Sequence, residues 1–193
     1  MNGCFCELRH FSLRGRRPTG QESGCRLPSP RATDAVDAMR SKYAESMQLH
    51  SHEPLTPFAH SAHNRCFGCG PANATGLRLE FLLALDGAVV SLPIVPDIFE
   101  GHPGYLHGGV IATLLDEAMS KAVRVQGQPS MTRKMEVDYL LPVPSGAPLR
   151  IEGRVVRSEG RKHWAEAVIV NLEEIALARS KGLFIEAQPR AKK

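Results

Sequence analysis

GHPGYLHGGVIATLLDEAMSKA, residues 101–122, is the stretch whose reading decides the fold of this 193-residue chain. Val110, Ile111, Leu114, Leu115, Ala118, Met119 and Ala122 recur at intervals of three and four, which is the repeat of one helix apolar round much of its girth. Such a helix needs an enclosing layer. Gly104, Gly108 and Gly109 cluster at its expected start, where each glycine costs roughly 1 kcal/mol of helix stability relative to alanine. Two arrangements offset that cost. One is a tight strand-to-helix turn. The other is a helix start whose unpaired N–H groups reach a ligand oxygen closely because no side chain intervenes.

The acids of the stretch separate into two kinds. Glu117 has Lys121 one turn later and reads as a stabilising surface pair. Asp116 sees Ala112, Thr113, Met119 and Ser120 at helical spacing and has no local cation. A carboxylate among small and apolar neighbours is costly unless it is paired or functional, so Asp116 is a candidate site residue, with a solvated helix edge as the alternative. His107 and Asp116 are nine residues apart, about 13 Å and two and a half turns along a helix. They cannot meet within one chain. A site that uses both must bring two copies of the helix together, most simply through a two-fold dimer.

Outward from the helix, the pattern changes to strands. Upstream, residues 77–85 and 88–95 flank the hairpin signal Asp86-Gly87, and Pro93 and Pro96 mark the end of the second strand. Downstream, residues 131–141, 148–158, 162–171 and 175–186 are separated by PVPSGAP, EGR and NLEE and read as consecutive antiparallel strands. Ile151, Gly153 and Val155 alternate with Arg150, Glu152 and Arg154, whereas Trp164, Ala167 and Ile169 give a mixed pattern. Two strands, one helix and four strands predict an α+β domain in which an antiparallel sheet curls round a long central helix.

The segment LHGGVIATLLDEA resembles the signature of the hotdog-fold acyl-CoA thioesterases, specifically the phenylacetate-degradation type and its animal relatives. That signature has His-Gly-Gly opening the central helix and an acid nine positions after the His, here His107, Gly108, Gly109 and Asp116. EGHPGYLHGG and the Cys-x-x-Cys followed by Gly-Leu within residues 66–77 match as well, and the resemblance spans residues 65–187. It implies hydrolysis of an acyl-CoA thioester at a site between the subunits of a homodimer or dimer of dimers. The Gly108 or Gly109 amide would donate to the carbonyl oxygen, where negative charge develops. Asp116 would be the general base acting on water, or the nucleophile of a mixed anhydride. His107 would hold the thioester or cap the glycine turn. Thr132, in TRKMEVDYLLP, maps to a residue that positions the water, and it also suits a strand as a β-branched side chain. Some relatives carry Asn at position 101, where this chain has Gly.

Coenzyme A brings phosphates, and the hairpin VVRSEGRKHW offers Arg157, Arg161 and Lys162 around a turn as candidate contacts, with a solvated hairpin as the alternative. Two other functions compete with hydrolysis. A non-catalytic acyl-CoA binding module would leave the thioester intact, as would a hotdog dehydratase of acyl thioesters; His107 followed by two glycines favours the thioesterase.

Composition bounds the rest. At 42% hydrophobic and 23% charged, the chain has ordinary globular composition for one domain plus an extension. The formal charge of +4 sits in residues 1–31, where six Arg face Glu7 and Glu22, and the remainder sums to zero. A nearly neutral domain argues against nucleic acid as its partner. No apolar run approaches the roughly 20 residues of a membrane span and no secretory signal is present, so an intracellular, cytoplasmic protein is expected. Five cysteines do not make a disulfide framework. Cys66 and Cys69 of CFGC follow His60 and His63, but structural zinc sites usually join two separate ligand pairs and these all lie in one ten-residue run. No metal and no cofactor are expected. The domain is placed at 61–188, after an extension (1–60) that is Arg-, Gly-, Ser- and Pro-rich and disordered apart from a short helix near 33–49, and before a tail (189–193). Met39 and Met47 are candidate alternative starts.

Overall fold

The computed structural model describes residues 55–127 and 129–187, together with Ser41. The expected helix near 33–49, the disorder of 1–31 and the tail lie outside these residues. The ordered elements are β1 (Thr56–Pro57), β2 (Leu82–Leu83), β3 (Val89–Ser91), a 3-10 turn (Asp97–Phe99), β4 (Glu100–His102), β5 (Tyr105–Leu106), α1 (Gly108–Val125), β6 (Ser130–Tyr139), β7 (Arg150–Glu159), β8 (Lys162–Val170) and β9 (Ala176–Glu186).

Seven strands form one antiparallel sheet in the order β1-β2-β3-β7-β8-β9-β6, and α1 lies against it, touching β3 and β6 to β9. The expected α+β architecture, a sheet wrapped on a central helix, is therefore present. The strand order differs from a run of consecutive neighbours. β6 pairs with β9 at the far edge, and β7 takes its place beside β3. The 140–149 connection thus crosses the sheet, which lets the helix-following strand become an edge.

Ile111, Leu114, Leu115, Ala118, Met119, Ala122 and Val123 form the buried stripe of α1 and meet Ile151, Ala165, Ile169 and Phe184. Each fully buried Leu, Ile or Phe contributes about 1.5–3 kcal/mol of transfer free energy. Two sheet glycines set how close the helix sits. A Cβ at Gly153 would stand 2.5 Å from the Ala118 carbonyl oxygen, and one at Gly182 would meet the Met119 thioether at 3.1 Å. On β8 the core side is His163, Ala165, Ala167 and Ile169, while Trp164 lies on the outer face under the Arg157 guanidinium, 4.6 Å from its ring centre. This resolves the mixed pattern of that strand.

Four boundaries move, and the first is the strand expected over 88–95, which keeps only Val89–Ser91. The helix begins at Gly108, because residues 100–106 form the β4–β5 hairpin with Gly104 at its turn (φ +82°). Gly104 is therefore a turn glycine, and Gly108 and Gly109 alone occupy the first helical turn. The strand expected over 77–85 shrinks to Leu82–Leu83, since Arg78 takes a left-handed φ of 51° while its Nε donates to the Asn73 carbonyl (3.0 Å). At the other edge, Thr56–Pro57, from the segment read as extension, pairs with Leu82–Leu83.

Candidate active site

His107 is the N-cap of α1, with extended φ/ψ (−62°, 139°), and its Nδ1 accepts from the Gly109 N–H at 3.0 Å. An accepting Nδ1 places the ring proton on Nε2, which leaves an outward-facing donor on an exposed side chain. Capping and substrate contact are therefore compatible for this residue, one through each nitrogen. The Gly109 amide is engaged by the cap. The Gly108 N–H has no hydrogen-bond acceptor among the described residues and is the available backbone donor of the helix start. The Gly108 carbonyl accepts from the Tyr139 hydroxyl at 3.1 Å. Sequence reading missed Tyr139, because only the fold brings the end of β6 to the helix start.

Position 101 has a structural account. β4 carries Gly101 beneath His107, where a Cβ would stand 2.9 Å from the His107 Cα and 3.0 Å from its Cδ2. An Asn here would displace the cap.

Asp116, two and a half turns on, is half-buried at the edge of the helix stripe and accepts from the Thr132 hydroxyl at 2.7 Å. Burial raises its carboxyl above the usual Asp range. Thr132 and Lys121 work against that shift, and the adjacent Glu117 adds to it. Thr132 faces the helix, alongside Met135, Val137 and Tyr139, through a bulge. In a regular strand residues 132 and 139, an odd number apart, point to opposite faces. Arg133 is the extra residue, since Thr132 pairs with Phe184 and Lys134 already pairs with Leu183. β6 consequently presents two hydroxyls to α1, Thr132 on Asp116 and Tyr139 on Gly108.

Arg157, Arg161 and Lys162 flank the β7–β8 turn at Gly160 (φ +55°). Arg157 pairs with Glu159, and Arg161 donates to the Glu186 carbonyl at 2.5 Å. Ser158, His163, Phe184 and Thr132 stand in one row across β7, β8, β9 and β6. The basic turn therefore lies at the Asp116 end of the sheet, away from His107. His163 holds this corner, with Nδ1 2.8 Å from the Ser158 hydroxyl and Nε2 3.0 Å from the Glu186 carboxylate. No sequence signal marked that network.

Glu117 corrects the surface-pair expectation. It is buried at 8% exposure, where one oxygen binds Lys121 Nζ (3.1 Å) and the other accepts from Cys66 Sγ (3.0 Å). Burial pushes its carboxyl up, yet Lys121 and the two cysteines outweigh that and hold it below the usual Glu range. Burial and the Glu117 contact push the Cys69 thiol up to about 11.

A long helix wrapped by an antiparallel sheet, with His-Gly-Gly at its N-terminus, defines a hotdog-fold protein. Residues 103–177 match the family model described as Thioesterase superfamily. The acyl-coenzyme A thioesterase THEM4 of Xenopus laevis is 34% identical over 91 residues, covering 47% of this chain and 41% of that one. Among solved structures, a thioesterase superfamily protein superposes with TM-score 0.61 at 24% identity over 82% of each chain. A point mutant of the phenylacetic acid degradation protein PaaI from Thermus thermophilus superposes with TM-score 0.52 at 26% identity, over 57% of this chain and 95% of that one. These likenesses show the hotdog fold and, over residues 103–177, a similarity to the thioesterase superfamily. The chain spans about two-fifths of the length of the curated relatives it matches.

Proposed function

We propose that the protein hydrolyses acyl-CoA thioesters at sites shared between two copies of the chain. The observation that carries the reading is the double hold of β6 on α1, with Asp116 at one end and the Gly108 turn at the other. β6 is the edge strand of the sheet, with no strand on its outer side among the described residues and with exposed Met131 and Tyr139, a surface that calls for a strand partner. Antiparallel pairing of two β6 strands about Glu136, with Arg133 bulged out, sets Thr132 opposite the partner's Tyr139. Asp116 of one chain then approaches the helix start of the other. The same register sets Met135 against the partner's Val137 and Lys134 against the partner's Asp138, while the two Glu136 carboxylates meet at the centre, each held by its own Lys134 at 2.6 Å.

In such a site the thioester carbonyl oxygen lies on the Gly108 N–H and the His107 Nε2–H. Asp116, with Thr132 fixing one oxygen, takes a proton from water as it attacks the carbonyl carbon. The oxyanion collapses, the C–S bond breaks, and the CoA thiolate recovers the proton from Asp116. The Arg157, Arg161 and Lys162 turn, on the Asp116 side, meets the phosphates of CoA. A preorganised donor at the oxyanion contributes roughly 10²–10³ in rate.

Subunit exchange between Asp116→Asn and Gly108→Val tests this reading through free-thiol release from acyl-CoA. Each parent is inactive, and each mixed dimer contains one site with both groups intact. Activity then returns to about a quarter of wild type, since about half the dimers are mixed and one of their two sites is sound. Confirmed exchange with no recovery places both groups in one chain and overturns the shared site. Wild-type protein that releases no thiol from any acyl-CoA overturns the activity itself.

A further inference from the structure

The loop 64–70 is wound against α1 at Glu117, and the proposed hydrolysis makes no use of it. Asn64 Oδ1 accepts from the Cys66 N–H (3.0 Å), the Gly70 N–H donates to the Cys66 carbonyl (2.9 Å), and Leu77 and Leu79 donate to the Phe67 and Gly68 carbonyls. This winding aims both cysteines at the helix. Gly68 is glycine because a Cβ there would stand 2.3 Å from Glu117 Cγ, so the loop is shaped around that carboxylate. The Cys66 and Cys69 sulfurs and one Glu117 oxygen lie within 4.8 Å of one another. The objection drawn from sequence, that all candidate ligands sit in one short run, is removed by a ligand that arrives 51 residues after Cys66.

We propose that Cys66 Sγ, Cys69 Sγ and Glu117 Oε1 bind a divalent transition-metal ion, zinc by preference, and that His60, which lies outside this three-residue cluster, swings its Nε2 in as the fourth donor. Thiolate, imidazole and carboxylate are each zinc ligands, and two thiolates with two further donors make up the four of a closed tetrahedral site. His60 lines the same cleft, of about 970 Å³, as Cys69, and its Nε2 is buried with no hydrogen-bond partner among the described residues. The outer contacts of such a site are already in place. Lys121 binds Glu117 Oε2, the oxygen that does not face Cys66, and Asn64 Nδ2 donates to Cys69 Sγ at 3.5 Å. Charge also balances. Glu117 and Lys121 sum to zero beside two neutral thiols. Binding one M²⁺ releases two thiol protons to solvent and leaves the sum at zero, as burial requires. The ion would staple the entrance of the domain to α1 at the residue next to Asp116, as a structural centre with no open position.

The full chain, reduced, stripped with chelator and kept anaerobic, is titrated with Co²⁺. The expected result is a thiolate-to-cobalt charge-transfer band with tetrahedral d–d bands, saturating at one ion per chain and bleached by one equivalent of Zn²⁺. Zn²⁺ well above its Kd should raise the thermal midpoint by about 5–10 °C. Cys66→Ser with Cys69→Ser abolishes the band, and His60→Ala weakens Co²⁺ binding at least tenfold. Wild-type protein with no charge-transfer band overturns the proposal, and this holds even where the variants fail to fold. Co²⁺ bound without that band, or a band that survives the double Cys variant, overturns it too, since the ion would then sit on other side chains of the protein.

Discussion

Asp116 is a carboxylate whose surroundings oppose its charge, and this gives its substitutions opposite effects on rate and stability. The ionised form is partly desolvated, so its carboxyl sits above the usual range and the folded protein binds that proton more tightly than the unfolded chain. Stability contributed by the protonated form is lost as pH rises through the raised value. Asp116→Asn should therefore melt at or above the wild-type temperature at pH 7 while kcat falls at least a hundredfold, which a thermal scan and a thiol-release assay would check. Thr132→Val removes a hydrogen bond that holds the carboxyl down. Glu117 and Lys121, the charged neighbours, remain, so the acid limb of the kcat/KM profile should move to higher pH. An unmoved limb would mean that the limb does not report Asp116. Asp116 was legible in the sequence because helical spacing showed its neighbours and the absence of a local cation. Tyr139 was not legible, and neither was the burial of Glu117, since both depend on segments 31 and 51 residues distant that only the folded chain brings together.

At the scale of elements, alternation and breakers located the long strands well, because β7, β8 and β9 each bury one face against α1. The short strands β2 and β3 were overextended. Arg78 leaves the extended conformation through a hydrogen bond to the loop at Asn73, and residue type gave no hint of that. Sheet order was misread for a related reason, since a strand pattern records which face is buried and says nothing about which neighbour pairs. Helix and sheet approach each other tightly at Gly153, beneath the Ala118 carbonyl. Gly153→Ala sets a methyl against backbone that cannot rotate away, so a loss of about 1–3 kcal/mol in denaturant unfolding is expected. An unchanged midpoint would mean that α1 slides freely over β7.

On the proposed pairing, the whole assembly turns on one edge strand. Lys134→Glu should set like charges opposite each other in the proposed β6 pairing and dissociate the dimer in size-exclusion chromatography. Lys134→Glu with Asp138→Lys should restore it, each exchanged charge again facing its opposite. A double variant that stays monomeric would reject the register about Glu136. The expected class of fold was legible at this scale because a long amphipathic helix between strand runs admits few architectures.

The two hydroxyls of β6, one on Asp116 and one on Gly108, also bear on how activity responds to abundance. On the proposed shared site, a solitary chain would possess both halves of the chemistry, yet hold them at opposite ends of one strand. Below the dissociation constant of such a pair, the working species would grow as the square of the chain concentration, so halving the protein would quarter the output. Dilution alone would then switch the chemistry off, with every side chain in place.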